Sequence, residues 1–201
     1  MTVKSLSGAR SPLDGAKHGA AETVFMHEVP FTPGYDLRVD PSSDGFAAVN
    51  SALGLTLPTT VGAVVRVNAA CEGQPGHNPD ATNGISALCL GPDWWFLTGT
   101  ADVMALVQPL RAQHHLSIVD VSAQRTKLEI YGPESRNVLE HVWEQDIRED
   151  SFPVDACSQG LIAKTPVIMW RCCGDCYIVF ARSSFARHLW TVLTDATVEY
   201  L

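Results

Sequence analysis

The chain has 201 residues, a formal net charge of −8, and 46% hydrophobic against 18% charged residues. That balance suits one globular domain and excludes a disordered chain. Its 14 Lys and Arg are scattered along the sequence, which argues against nucleic acid and anionic membrane surfaces as partners, because both need clustered positive charge.

Met1 to Glu22 is polar and small, with Ser5, Ser7, Gly8, Ser11, Pro12 and Gly15 and no strand or helix period. It reads as a mobile N-terminal arm over residues 1–22, ahead of a single domain over 23–201. Thr23 to Val39 is broken by Pro30, Pro33 and Gly34 and reads as extended chain. Phe46 to Leu53 is a two-turn helix started near Ser43 or Asp44. Thr60 to Val67 is β-branched and strand-like. Ala70 to Gly84, rich in Gly, Pro and Asn, is the longest loop, and a loop of that length in a compact domain is functional, partner-contacting or mobile. Ile85 to Leu90 and Trp94 to Leu97 form a strand pair around the Gly91-Pro92-Asp93 turn.

Thr100 is placed to cap a helix from Ala101 to Gln113 whose apolar face holds Val103, Met104, Val107 and Leu110. Leu116 to Val121 and Lys127 to Tyr131 are strands. Gly132-Pro133 opens a helix with Pro133 at its first position, where a missing N–H costs nothing. Val138, Leu139, Val142 and Trp143 form its buried stripe. Val167 to Arg171 and Tyr177 to Ala181 pair across a Gly174-Asp175 turn. Ser183 or Ser184 caps a final helix with Phe185, Leu189, Val192, Leu193 and Ala196 at amphipathic spacing. Few connections are long enough for parallel crossovers. The expected class is therefore α+β, a mainly antiparallel sheet with helices packed on one face.

The sharpest local cluster is Cys172-Cys173-Gly174-Asp175-Cys176. Its Cys-x-x-Cys spacing suits zinc or redox chemistry, but no second pair lies nearby, and ordinary thiols at a hairpin end are the plainer reading. Cys71, Cys89 and Cys157 are isolated and read as packed. With six cysteines in this length, a disulfide scaffold is not expected. His114 and His115 end a helix, where a cation is favoured, and adjacent residues make a poor metal pair. His188 reads as a boundary histidine. Ser122, His141 and Asp120 lack the elbow that would support a triad. Asp120 and Arg125 read as a local salt bridge or turn hydrogen bond. Trp94 and Trp95 point to opposite strand faces, so one of them meets a second layer or a partner. Trp170 is a further large aromatic at a strand position.

Several pieces in fixed order are more specific together than any one alone. They are Leu90-Gly91-Pro92-Asp93-Trp94-Trp95-Phe96-Leu97, Val119-Asp120-Val121-Ser122, Arg125-Thr126, Gly132-Pro133-Glu134, Phe152-Pro153, Ser158-Gln159, the strands around Trp170, and Ala181-Arg182-Ser183-Ser184-Phe185-Ala186. Over Ile85 to Leu201 this set resembles the gamma subunit of heterotetrameric sarcosine oxidase, a family related to the aminomethyltransferase (glycine-cleavage T-protein) folate-binding fold. The resemblance implies an assembly with alpha, beta and delta subunits, alpha being the main contact. Such an assembly oxidatively demethylates sarcosine to glycine with hydrogen peroxide and passes the one-carbon unit to tetrahydrofolate. FAD, FMN, NAD, zinc and tetrahydrofolate then belong to the partners, and no catalytic, cofactor-binding or metal residue is assigned to this chain.

Aminomethyltransferases carry an acidic segment for the folate chemistry, whereas the corresponding stretch here, Ile162 to Trp170, has no carboxylate. A non-catalytic structural subunit is expected. The rivals are a free-standing folate or one-carbon binding protein and a metal or thiol redox module built on Cys172, Cys173 and Cys176. No run reaches the ~20 apolar residues of a membrane span. Met1 to Ala21 lacks the apolar core of a secretory signal, so a cytoplasmic location is expected.

Overall fold

The computed structural model describes residues 10–67 and 84–201. The loop expected over Ala70 to Gly84 lies, except for its last residue, outside them, as does Cys71. The described elements are β1 (Lys17–Gly19), β2 (Phe25–Val29), β3 (Gly34–Val39), α1 (Asp44–Leu53), β4 (Val64–Val67), β5 (Ile85–Gly91), β6 (Trp94–Gly99), α2 (Val103–Val107), β7 (Leu116–Asp120), β8 (Arg125–Tyr131), α3 (Ser135–Glu140), β9 (Cys157–Ile162), β10 (Thr165–Cys173), β11 (Cys176–Arg182) and α4 (Ala186–Ala196).

The strands make two sheets rather than one. A six-stranded sheet has the order β1-β2-β8-β11-β10-β9, and a five-stranded sheet the order β4-β5-β6-β3-β7. Every pairing is antiparallel. The class is thus α+β, and the helices lie on one face of each sheet. Strand alternation builds the layers. On β11, Tyr177, Val179 and Ala181 join Val138 and Leu139 of α3 and Leu189 and Leu193 of α4 in one core. The intervening Cys176, Ile178 and Phe180 meet Val64, Leu88 and Phe96 of the other sheet. A third core places Leu37, Trp95 and Leu97 under Val49 and Leu53 of α1 and Val103 and Val107 of α2. The resulting order is helices, sheet, sheet, helices. Phe96 and Phe180 cross edge-on at 5.0 Å in the middle layer, a favoured aromatic geometry.

The sheets also meet through the main chain at one corner. Val64 N donates to Asp155 O (2.8 Å), and Cys157 N donates to Gly62 O (2.7 Å). Edge groups that would otherwise be left unpaired are satisfied there.

Local chemistry accounts for both ends of α1 and the start of α2, whereas α3 and α4 have no side-chain cap, and Ser183 and Ser184 lie in a 3-10 turn before α4 instead of capping it. Ser43 caps α1, its Oγ accepting from Phe46 N, and Gly54 closes it at φ 66°, the left-handed conformation that glycine adopts freely. The helix expected from Ala101 to Gln113 is shorter. It begins at an Asp102 cap accepting from Ala105 N, and it tightens into a 3-10 turn over Gln108–Ala112. Pro109 lacks the N–H that an α-helix would use at that point. Thr100 bonds Gly84 N instead (2.9 Å). Pro133 lies before the α3 cap, which is Glu134.

The described part of the arm, residues 10–22, carries structure. β1 pairs with β2, and Glu28 draws residues 11–15 onto the sheet edge. Strand β9 had no sequence signal beyond Ser158-Gln159.

Candidate functional site

Among the described residues few charged groups are buried, and Glu28, Glu129 and Arg171 are each held by hydrogen bonds or an ion pair. Glu28 is buried among the apolar residues that face α3 and α4. Its carboxylate accepts from Thr126 Oγ1 (2.6 Å), Ser11 Oγ (2.7 Å) and Gly15 N (2.9 Å). These bonds offset the large cost of burying a charge. On the opposite face, Glu129 is buried against Lys127 Nζ, with His27 Nε2 3.9 Å from its other oxygen. The Phe25 ring lies tilted to His27 at 5.7 Å and the Tyr131 ring meets it edge-on at 6.1 Å. Arg171, also buried, donates from Nε and Nη2 to Gly174 O and from Nη1 to Phe152 O.

Sequence reasoning missed Glu28 and Glu129. Alternation places Lys127, Glu129 and Tyr131 opposite Leu128 and Ile130, the face an ordinary two-layer protein leaves in water. The second sheet turns that face inward.

The imagined triad is not assembled. Ser122 Oγ donates to Asp120 Oδ1 (2.6 Å), and Ser122 N donates to the same oxygen (2.9 Å). This is a turn closed by its own side chain. His141 lies on the far side of the six-stranded sheet, at the end of α3, and bonds the Tyr200 hydroxyl (2.8 Å). The turn-hydrogen-bond role expected for Asp120 is therefore the one found, and among the described residues no ion pair joins it to Arg125. Burial pushes the Arg125 guanidinium below its usual range, with Asp36 opposing that shift.

Trp95 is buried under α1, its Nε1 donating to Pro58 O (2.7 Å). Trp94 packs against the inter-sheet layer, with Arg38 over its ring at 4.7 Å and its Nε1 donating to Asp36. Of the two surroundings expected for the outward tryptophan, a second layer or a partner, the second layer is found: it lies between the two sheets. Trp170 lies in the same layer and donates to Asp155 (3.3 Å). His114 and His115 follow the 3-10 turn, and His188 sits on α4 near Ala163 O (3.4 Å).

Two isolated thiols prove to be neighbours. Cys89 and Cys157 are buried, and Cys157 Sγ lies 4.0 Å from Cys89 O. Burial, with a smaller contribution from Cys89, pushes the Cys157 thiol up to about 12. The other cluster is tighter: the Sγ atoms of Cys172, Cys173 and Cys176 all lie within 4.8 Å of one another. Among the described residues no helix is long and apolar enough to cross a membrane.

This two-sheet architecture is shared with the glycine-cleavage aminomethyltransferase T of Bartonella henselae. The likeness has a TM-score of 0.62 at 12% identity, over 92% of this chain and 56% of that one. It defines the fold class, that of the aminomethyltransferases. A more specific match is a chain of the heterotetrameric sarcosine oxidase from Corynebacterium sp. U-96, solved in complex with pyrrole 2-carboxylate. Here the TM-score is 0.81 at 28% identity, covering 95% of both chains.

Sarcosine oxidase subunit gamma of Corynebacterium sp. strain P-1 is 29% identical over 98% of this chain and 94% of its own length. That of strain U-96 is 30% identical over 94% and 86%. The family model described as sarcosine oxidase, gamma subunit family, matches residues 38–199. The chain belongs to the sarcosine oxidase gamma subunit family.

Proposed function

We propose that this chain is a non-catalytic structural subunit of a heterotetrameric sarcosine oxidase. The observation that carries the reading is the fold match along 95% of a chain from such an assembly. In this reading the alpha subunit is the main contact, with beta and delta completing the complex in the cytoplasm. FAD, FMN, NAD, zinc and tetrahydrofolate are bound by those partners, where sarcosine is oxidised and its one-carbon unit transferred.

The chain's own residues support a structural role. Glu28, Glu129 and Arg171 are committed to internal pairs and backbone carbonyls. The segment from Ile162 to Trp170, much of it β10, offers no carboxylate for folate chemistry. Residues 23–201 then act as one domain, with the arm added to its edge.

The test is co-expression of the tagged chain with the flavoprotein subunits from its host. Elution in fixed stoichiometry, with sarcosine-dependent oxygen uptake by the assembly and none by the chain alone, is the expected result. Activity or tight tetrahydrofolate binding by the isolated chain would overturn the reading in favour of a free-standing enzyme or folate binder.

A further inference from the structure

The hairpin cysteines are brought together by a specific irregularity. In a regular strand the neighbours Cys172 and Cys173 would face opposite sides of the sheet. The register of β10 against β11 shifts between Arg171 and Cys173, and Cys173 pairs directly with Cys176. The bulge re-aims a side chain, as bulges do. All three cysteines consequently join the inter-sheet layer, Cys172 and Cys176 fully buried and Cys173 packed at its margin. Cys172 Sγ and Cys176 Sγ are 3.1 Å apart. Arg171 clamps the turn through its bonds to Gly174 O, so the three sulfurs are presented by a fixed loop.

We propose that Cys172, Cys173 and Cys176 form a binding site for a thiophilic metal cation of the zinc class. The proposal is independent of the structural-subunit reading. Both intervals, Cys172-x-x-x-Cys176 and Cys173-x-x-Cys176, fall within the spacing of thiolate zinc loops. Zinc–sulfur bonds of about 2.3 Å put sulfurs roughly 3.8 Å apart in a tetrahedron. In the observed triangle one side is 3.1 Å and none exceeds 4.8 Å. Small side-chain rotations therefore complete it. On binding, the thiols release their protons, and the cation compensates the thiolate charge that this apolar layer would otherwise penalise. Three sulfurs leave one tetrahedral position for water or another ligand.

The experiment measures zinc by mass spectrometry in the full chain. Wild type, Cys173→Ser and Cys157→Ser are purified in one and the same form, alone or in the assembly, under reducing conditions after zinc loading and dialysis. Cys173 is chosen because it is the least buried of the three and its substitution leaves the core intact.

The expected result is one zinc per chain more in wild type than in Cys173→Ser, with Cys157→Ser unchanged. A parallel titration with Cd2+ gives a thiolate charge-transfer band in wild type that is lost in Cys173→Ser. Equal zinc in wild type and Cys173→Ser overturns the proposal. So does a wild-type chain that holds no zinc and carries a Cys172–Cys176 disulfide instead.

Discussion

At the residue scale, stability rests on buried groups whose partners come from distant parts of the chain. Glu28 links the arm, β2 and β8 through three hydrogen bonds. Glu28→Ala leaves Thr126 Oγ1 and Gly15 N without their acceptor. The expected loss is about 2–4 kcal/mol in denaturant unfolding, since bonds to a charged group are worth more than neutral ones. Amide exchange at Gly15 and Ala16 should rise with it, and unchanged exchange there would show that the arm is held by something else.

Cys157 makes a pH prediction. Its pKa is raised from an ordinary 9.0 to about 12 by burial. The thiol stays protonated in the fold while it ionises in the unfolded chain. Its contribution is therefore complete below pH 9 and is lost as pH rises from 9 toward 12, at about 1.4 kcal/mol per unit. Tyr35, Tyr177 and Cys89, also raised by burial, act in the same direction. Denaturant midpoints taken across this range should fall, and Cys157→Ala should make the decline shallower.

At the element scale, α3 is locked to the sheet by its end. Trp143 bridges to Ile162 of β9, and its ring lies over Gly160. A methyl at Gly160 would meet Trp143 Cη2 at 2.5 Å and Gln145 Nε2 at 2.7 Å. Gly160→Ala should cost about 1–3 kcal/mol as overpacking and should shift Trp143 fluorescence. A neutral substitution would mean that α3 can lift from β9 without penalty. Much of this scale was legible in the sequence. The reading of α1, started near Ser43 or Asp44 and running to Leu53, matches its bounds, and the β10–β11 hairpin follows from Gly174-Asp175. The amphipathic period of the last helix marks Leu189 and Leu193 as buried, and they are, whereas Phe185, read on the same face, lies in a 3-10 turn before α4 and is exposed. The missed strands, β1 and β9, are the two edge strands of the six-stranded sheet. Such strands are specified by the neighbour they pair with more than by their own pattern.

At the scale of the whole molecule, the central layer between the sheets joins the halves. Phe180→Ala removes an aromatic ring from that layer and should cost about 3–5 kcal/mol. Trp95 lies in the core of one half and Trp143 in that of the other. If the layer couples them, fluorescence and far-ultraviolet dichroism will report a single coincident unfolding transition. Two separated transitions would mean that the sheets fold as independent units.

The sequence alone determined the class of elements, most of their order, and the membership suggested by its ordered pieces, because turn residues, caps and periodicity are local signals. It also determined that Trp94 and Trp95 point to opposite strand faces, so that one of them meets a second layer or a partner. Tertiary structure decided that there are two sheets and that the polar-looking face of β8 is buried. It also showed that the hairpin cysteines converge. These depend on which strands meet and on a one-residue shift in register, and no local pattern encodes the partner on the other side of a strand.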